Sequence, residues 1–234
     1  MILNHRYKFI FIKTRKTAGT SIELALSQFC EKNDIISPLS LEDEEMRTEL
    51  GYPDPQNYNI PLPRLLFRSP KACLSAIRYP KNRIFYRHIP AERIKRAVST
   101  NIWNNYYKFC FDRNPFDRAI SRYYWQTRNI TEKPDINEFI LKSTKKMLSN
   151  WHIYTIDNKI AINFVGKYEN LKEDLKKISK DLKLPTLEIP NAKSNARINR
   201  EHYSKVLSLE SRTYIEKMCA DEINYFDYEW QNFL

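Results

Sequence analysis

Lys8-Phe9-Ile10-Phe11-Ile12-Lys13-Thr14-Arg15-Lys16-Thr17-Ala18-Gly19-Thr20-Ser21-Ile22-Glu23 (KFIFIKTRKTAGTSIE, residues 8–23) is the stretch whose reading decides the fold. The opening KFIFI is a short β-rich apolar run, as expected of a buried strand. A polar loop follows over residues 13–19. Thr20-Ser21-Ile22-Glu23 has the form of a capping box, a hydroxyl with a glutamate three residues on. Ile22, Ala25, Leu26 and Phe29 then recur at helical spacing. The segment is expected to run strand, loop, helix. Backbone N–H groups at such a helix start point outward, and the helix dipole favours an anion there. Lys13, Arg15, Lys16 and the hydroxyls add donors, so the loop reads as a phosphate cradle; a solvated basic turn is the alternative. It is not a Walker A loop, because GxxxxGK[ST] is absent.

Two further units repeat the pattern. Residues 106–111 (YYKFCF) are strand-like, and Asn114-Pro115-Phe116-Asp117 then opens a helix with Asn as cap, Pro at the first position and Asp in the first turn. Phe116, Ala119, Ile120, Tyr123 and Tyr124 give that helix an apolar face. Residues 160–165 (IAINFV) are again strand-like. Asn170 can cap the next helix with Glu173 three residues on, and Leu171, Leu175, Ile178 and Leu182 form its core stripe. A helix is also expected from Ala91, and a last one over residues 209–226. Repeated strand–loop–helix units imply an α/β fold: a P-loop-like, three-layer arrangement with a central, mainly parallel sheet flanked by helices. Ligands of such sheets bind beyond the carboxyl ends of the strands, so the loops at 13–20, 112–116 and 166–169 are expected on one rim.

The 234 residues fit a single domain. Residues 31–80, with the acidic cluster Glu42, Asp43, Glu44 and Glu45 and many prolines, are expected to be an insertion or a substrate-side lid. With 42% hydrophobic residues a core can form. The net charge of +11 favours anionic partners, whether nucleotides, nucleic acid, acidic lipids or acidic glycans. Cys30, Cys73, Cys110 and Cys219 are far apart, which argues against a zinc site or a disulfide scaffold. No apolar stretch is long enough to cross a membrane and no signal peptide is visible, so a cytoplasmic location is expected.

Lys16-Thr17-Ala18-Gly19-Thr20-Ser21 resembles the 5′-phosphosulfate loop of the PAPS-dependent sulfotransferases. Arg113-Asn114-Pro115-Phe116-Asp117-Arg118-Ala119-Ile120-Ser121 resembles their 3′-phosphate motif. Val165-Gly166-Lys167-Tyr168-Glu169-Asn170-Leu171 is similar to a third segment of the family, and residues 221–228 to its C-terminal pattern. The carbohydrate branch, Golgi-type and bacterial, is the most similar. The resemblance implies transfer of a sulfuryl group from PAPS to an acceptor hydroxyl, on a carbohydrate. It implies that Lys16 stabilises charge on the leaving phosphate. Thr17, Ala18, Gly19, Thr20 and Ser21 would line the 5′-phosphate, Arg113 and Ser121 would hold the 3′-phosphate, and Tyr168 would meet the adenine. Three departures stand out: Arg15 where the family commonly has proline, Ala18 where it often has glycine, and Asp112 where it usually has an apolar residue.

In-line attack by a hydroxyl calls for a base, and histidine titrates in the right range. His88, in Arg87-His88-Ile89-Pro90-Ala91, is similar to the segment in which the family places its catalytic histidine; His152 is the second candidate. No metal is required, since lysine and backbone dipoles can do what magnesium does in kinases. Two other functions remain to be weighed. One is a P-loop-type ATP-dependent kinase. The other is a nucleic-acid binder stacking bases on Trp103, Tyr106, Tyr107, Tyr123, Tyr124 and Trp125. The acceptor itself is not readable, although Lys71, Arg78, Lys81 and Arg83 would suit an anionic glycan.

Overall fold

The computed structural model describes residues 1–59, 84–185, 187, 189 and 201–232. Lys71, Arg78, Lys81 and Arg83, with the rest of residues 60–83, lie outside them. In chain order the elements are β1 (Ile2–Asn4), β2 (Phe9–Phe11), α1 (Gly19–Ser27), β3 (Ile35–Ile36), α2 (Leu41–Glu49), α3 (Ala91–Ala97), α4 (Thr100–Asn105), β4 (Tyr107–Asp112) and α5 (Pro115–Gln126). Then come α6 (Ile136–Leu141), α7 (Lys145–Leu148), α8 (Trp151–Tyr154), the β5–β6 hairpin (Thr155–Ile156, Lys159–Ile160), β7 (Phe164–Lys167), a 3-10 turn (Tyr168–Asn170) and α9 (Leu171–Leu182). The chain closes with α10 (Tyr203–Val206), α11 (Leu209–Met218) and α12 (Ala220–Phe226).

Five strands form a mixed sheet in the order β3-β1-β2-β4-β7. Its centre is parallel, β2 with β4 and β4 with β7, in register Phe11 to Phe109 and Phe111 to Gly166. The other side is antiparallel, β1 pairing with both β2 and β3. This α/β sheet agrees with the expected class, and the antiparallel edge is what the sequence pattern did not announce. Ile2–Asn4 is too short a strand to show a period. Ile35–Ile36, inside the expected insertion, becomes part of the main sheet.

Side-chain alternation along the strands builds a core on each face. Phe9 and Phe11 of β2 join Phe109 and Phe111 of β4 under Ile22 and Leu26 of α1 and Leu175 and Ile178 of α9. Ile10, Ile12 and Cys110 point the other way, against Ile89, Ile94, Trp103, Ile153 and Tyr154. Trp103 and Tyr123 are buried, so neither offers a free face for stacking a base. Gly166 is required by this packing: a Cβ there would stand 2.5 Å from the Phe111 ring.

Four local expectations need correction. Asn170 stands at the N-cap of α9, but its side chain makes no capping hydrogen bond. The capping box at Thr20–Glu23 is not made. Helix α1 already starts at Gly19, and no side chain caps it. Glu23 faces inward instead, where Lys13 Nζ at 3.0 Å and the Met1 amino group at 2.8 Å neutralise it. The strand expected over 160–165 is split: β6 ends at Ile160 and β7 begins at Phe164. The amide of Asn163 donates to the Lys108 carbonyl and its side-chain oxygen accepts from Lys108 N, which turns the chain onto β4. The final helix is broken at Cys219, whose φ of −115° and ψ of 22° leave the helical region.

Candidate active site

The carboxyl ends of β2, β4 and β7 open into one cleft of about 1220 Å³. Residues 13–21, Arg87, His88, Arg113, Ser121, Arg122, Trp125, Tyr168 and Leu171 are among its lining. The donor-site candidates Lys16, Thr17, Ala18, Gly19, Thr20, Ser21, Arg113, Ser121 and Tyr168 line this cleft together with His88, and His152 is not among its lining.

At the first junction the chain turns through two non-glycine residues in the left-handed region, Lys16 (φ 62°) and Ala18 (φ 56°). Such turns aim successive N–H groups into a concavity suited to anions. Ala18 is the N-cap residue of α1 and offers no side-chain acceptor. The glycine often found here in the resembled family would take this conformation without strain. Gly19 is needed for space: a Cβ would approach Lys13 Cγ to 2.8 Å and the Thr14 carbonyl to 3.3 Å. Lys13 is not a surface donor. It is buried, and its Nζ donates to Thr20 Oγ1 at 3.0 Å as well as facing Glu23. Burial lowers the Lys13 pKa, with Glu23 opposing. Burial acts against the Glu23 carboxylate too, yet Lys13 and the Met1 amino group hold that carboxyl at about 2. The Thr17 hydroxyl lies 2.8 Å from that of Thr14, and Thr14 in turn donates to the Phe111 carbonyl at the end of β4.

The second junction is built from side chains. Asn114 Oδ1 accepts from Phe116 N at 3.0 Å and caps α5, as its sequence predicted. Arg113 is fastened on three sides. Its Nε donates to Asp117 Oδ2 at 2.8 Å, its Nη1 to the Lys16 carbonyl at 3.2 Å, and its guanidinium lies 4.1 Å from the Tyr168 ring centroid. Lys16 Nζ lies 4.7 Å from the centroid of Trp125, a cleft residue that the sequence offered only as one of the base-stacking aromatics.

Asp112 does not face the cleft. It is buried, pairs with Arg118, accepts from Tyr154 Oη at 2.6 Å and from Asn150 Nδ2 at 3.1 Å. Arg118 also reaches Glu222 at 2.8 Å, and Glu222 accepts from the amide of Asn150 at 2.6 Å. Burial, with Asp112 adding to it, raises the Glu222 pKa despite Arg118. This network holds the end of β4 beneath the cleft. Arg118 and Glu222 lay within quoted segments; Asn150 carried no signal, because its partners are distant in sequence.

His88 stands opposite the first junction with its Nδ1 3.1 Å from the Lys13 carbonyl oxygen. That oxygen can only accept, so Nδ1 carries the proton and Nε2 keeps its lone pair. Burial, then the charges of Lys13 and Arg15, pull the His88 pKa down to about 3. His152 Nε2 instead accepts from Arg15 Nη1 at 3.2 Å, and burial followed by Arg15 lowers its pKa to about 4.

An uncharacterized protein of Archaeoglobus fulgidus is 31% identical over 126 residues, covering 51% of this chain and all of its own length. A solved sulfotransferase from Alicyclobacillus acidocaldarius overlays on 94% of this chain and 96% of its own, with 17% identity and a TM-score of 0.45. A family model described as the sulfotransferase family matches residues 1–229, a span that contains both strand–helix junctions and the cleft between them. On that match, the chain belongs to the sulfotransferase family.

Proposed function

We propose that this sulfotransferase takes the sulfuryl group from PAPS and transfers it to a carbohydrate hydroxyl. One observation carries the proposal: Arg113 Nη1 lies 3.2 Å from the Lys16 carbonyl oxygen, across 97 residues of sequence. Two anion-binding junctions thus share one cleft, as a nucleotide with phosphate groups on both its 5′ and 3′ positions requires. The uncapped start of α1, the left-handed turn before it and Lys16 suit the 5′ end. Arg113 and Ser121 suit the 3′-phosphate, and a planar fork steadied by Asp117 is well shaped for it. The Tyr168 ring with Leu171 and Leu175 offers the adenine an aromatic and apolar wall.

The donor, when bound, supplies an activated sulfuryl group on a phosphate leaving group. Lys16 faces the charge that develops on that phosphate. His88 Nε2, neutral and with its lone pair available, accepts the proton of the acceptor hydroxyl. The negative donor beside it raises its basicity from the low value of the free site. His152 suits a different task, since its Nε2 is engaged by Arg15. The carbohydrate acceptor is supported by the resemblance of the two motifs to the carbohydrate branch of the family.

Calorimetry with 3′-phosphoadenosine 5′-phosphate tests the donor assignment, and a glycan screen with labelled PAPS then tests transfer. One binding site, weakened in Arg113→Ala, is expected. Absence of binding, or binding of ATP with magnesium in its place, would overturn it.

A further inference from the structure

Three guanidinium groups that line the cleft, those of Arg15, Arg87 and Arg122, are not used by the proposed donor contacts. Arg15 precedes Lys16, and Arg122 follows Ser121 on α5. Arg15 donates to the Lys146 carbonyl at 3.1 Å and to His152 Nε2 at 3.2 Å. Asn150 clamps its backbone from both sides, accepting from Arg15 N and donating to Arg15 O at 3.0 Å each. Arg122 Nε donates to Gln126 Oε1 at 3.0 Å. These partners are all neutral. The nearby carboxylates are committed elsewhere, Asp117 to Arg113, and Asp112 and Glu222 to Arg118. Burial, then the charges of Arg15 and Arg118, lower the Arg122 pKa to about 10. Two like charges therefore line one cleft, and neither guanidinium forms an ion pair among the described residues. An entering anion would relieve their repulsion and find two planar forks to bind.

We infer that Arg15 and Arg122 form an anion subsite for the acceptor, holding an acidic group on the sugar beside the one that is sulfated. Its chemistry is that of a carboxylate or a sulfate ester. Arg122, next to Ser121 on α5, reaches the acidic group of the sugar from one side and Arg15 from the other loop. His152 and Asn150 act as positioning residues for Arg15. The enzyme would accordingly prefer acidic saccharides to neutral ones. This inference rests on the sulfuryl-transfer proposal above.

The test measures three matched oligosaccharide acceptors, neutral, uronic-acid-containing and sulfated, with wild type, Arg122→Gln and Arg15→Gln. Binding of each oligosaccharide to the enzyme–3′-phosphoadenosine 5′-phosphate complex is followed by calorimetry alongside KM. In both variants the KM and Kd of the preferred acidic acceptor are expected to rise about tenfold or more, the loss of a charge-assisted contact. In Arg122→Gln the neutral acceptor and the affinity for 3′-phosphoadenosine 5′-phosphate should be unchanged. The uronic and sulfated arms distinguish which anion is read. Arg122→Lys, which keeps the charge and loses the fork, should fall between, and it replaces Arg122→Gln if that variant fails to fold. Equal use of neutral and acidic acceptors by wild type would overturn the inference while leaving donor binding intact. So would a loss of nucleotide affinity in Arg122→Gln, which would assign the pair to the donor. Wild type that binds no nucleotide would instead defeat the donor assignment.

Discussion

The two strand–helix junctions suit anions by opposite means. The first leaves its helix start open: Ala18 caps α1 with no side chain, and the turn holds left-handed residues at Lys16 and Ala18. The second closes its helix start with Asn114 and relies on the Arg113 side chain, braced by Asp117 and Tyr168. Their foundations differ too. Behind the first, a buried Glu23 balances Lys13 and the Met1 amino group; behind the second, a buried Arg118 balances Asp112 and Glu222. A backbone cradle holds its shape only if the turn beneath it is rigid. A side-chain fork needs its own carboxylate and ring to aim it. The difference teaches that sensitivity to mutation should lie in backbone space at one junction and in side-chain charge at the other.

The largest expected effect is on the second foundation. Arg118→Ala leaves two buried carboxylates uncompensated and should cost about 3–5 kcal/mol in urea unfolding. A loss near zero would show that the second junction does not stand on this network. Next come the site cations, compared head to head. Lys16→Ala should lower kcat by ~10²–10³-fold with a smaller effect on donor affinity. Arg113→Ala should weaken the Kd for 3′-phosphoadenosine 5′-phosphate by roughly 10- to 100-fold and spare kcat at saturation. If the two variants give the same kcat and Kd pattern, the division of labour is wrong.

Acid should act mainly through the first junction and its neighbours. His88 and His152 have folded pKa values of about 3 and about 4 against an ordinary 6.5, so the unfolded chain takes up their protons first. Stability from these groups is full above 6.5 and falls as pH drops from there toward 4 and 3. Glu23, held at about 2, adds a loss below its ordinary 4.5. Glu222, pushed up to about 7, acts the other way over this range, its stabilising share growing as pH falls toward 4.5. From pH 7 to pH 5 the urea midpoint of His88→Asn should therefore drop less, or rise more, than that of wild type. The smallest effect belongs to Ala18→Gly. Relief of the left-handed strain, partly offset by the greater freedom of the unfolded chain, should stabilise by about 0.5–1 kcal/mol. A lower melting temperature in that variant would contradict the strained-turn account.

Much of the fold was legible because local pattern and final packing agree. The KFIFI run, the Asn114-Pro115 helix start and the stripe on α9 all formed where their periodicity put them, with the final residues of each element adjusted. The misreadings have a common cause. Thr20-Ser21-Ile22-Glu23 looked like a capping box, but two cations from elsewhere in the chain claimed Glu23. The helix over 209–226 broke at Cys219, which is fully buried among Phe116, Ile120 and Ile215. Arg122 and Asn150 went unremarked as site residues, and Trp125 was read only as a base-stacking aromatic, because nothing near them in sequence shows what they face.

By itself the sequence determined the class of sheet and the two strand–helix junctions with their cationic and hydroxyl side chains, since strand and helix periods and cap chemistry are local properties of the chain. Only the tertiary structure decided that Arg113 touches the Lys16 carbonyl, that Lys13 serves the interior, that Asp112 turns away from the cleft and that Arg15 and Arg122 line the same cleft. Each of these depends on which charges burial brings together, and electrostatic partners separated by tens of residues leave no periodic mark.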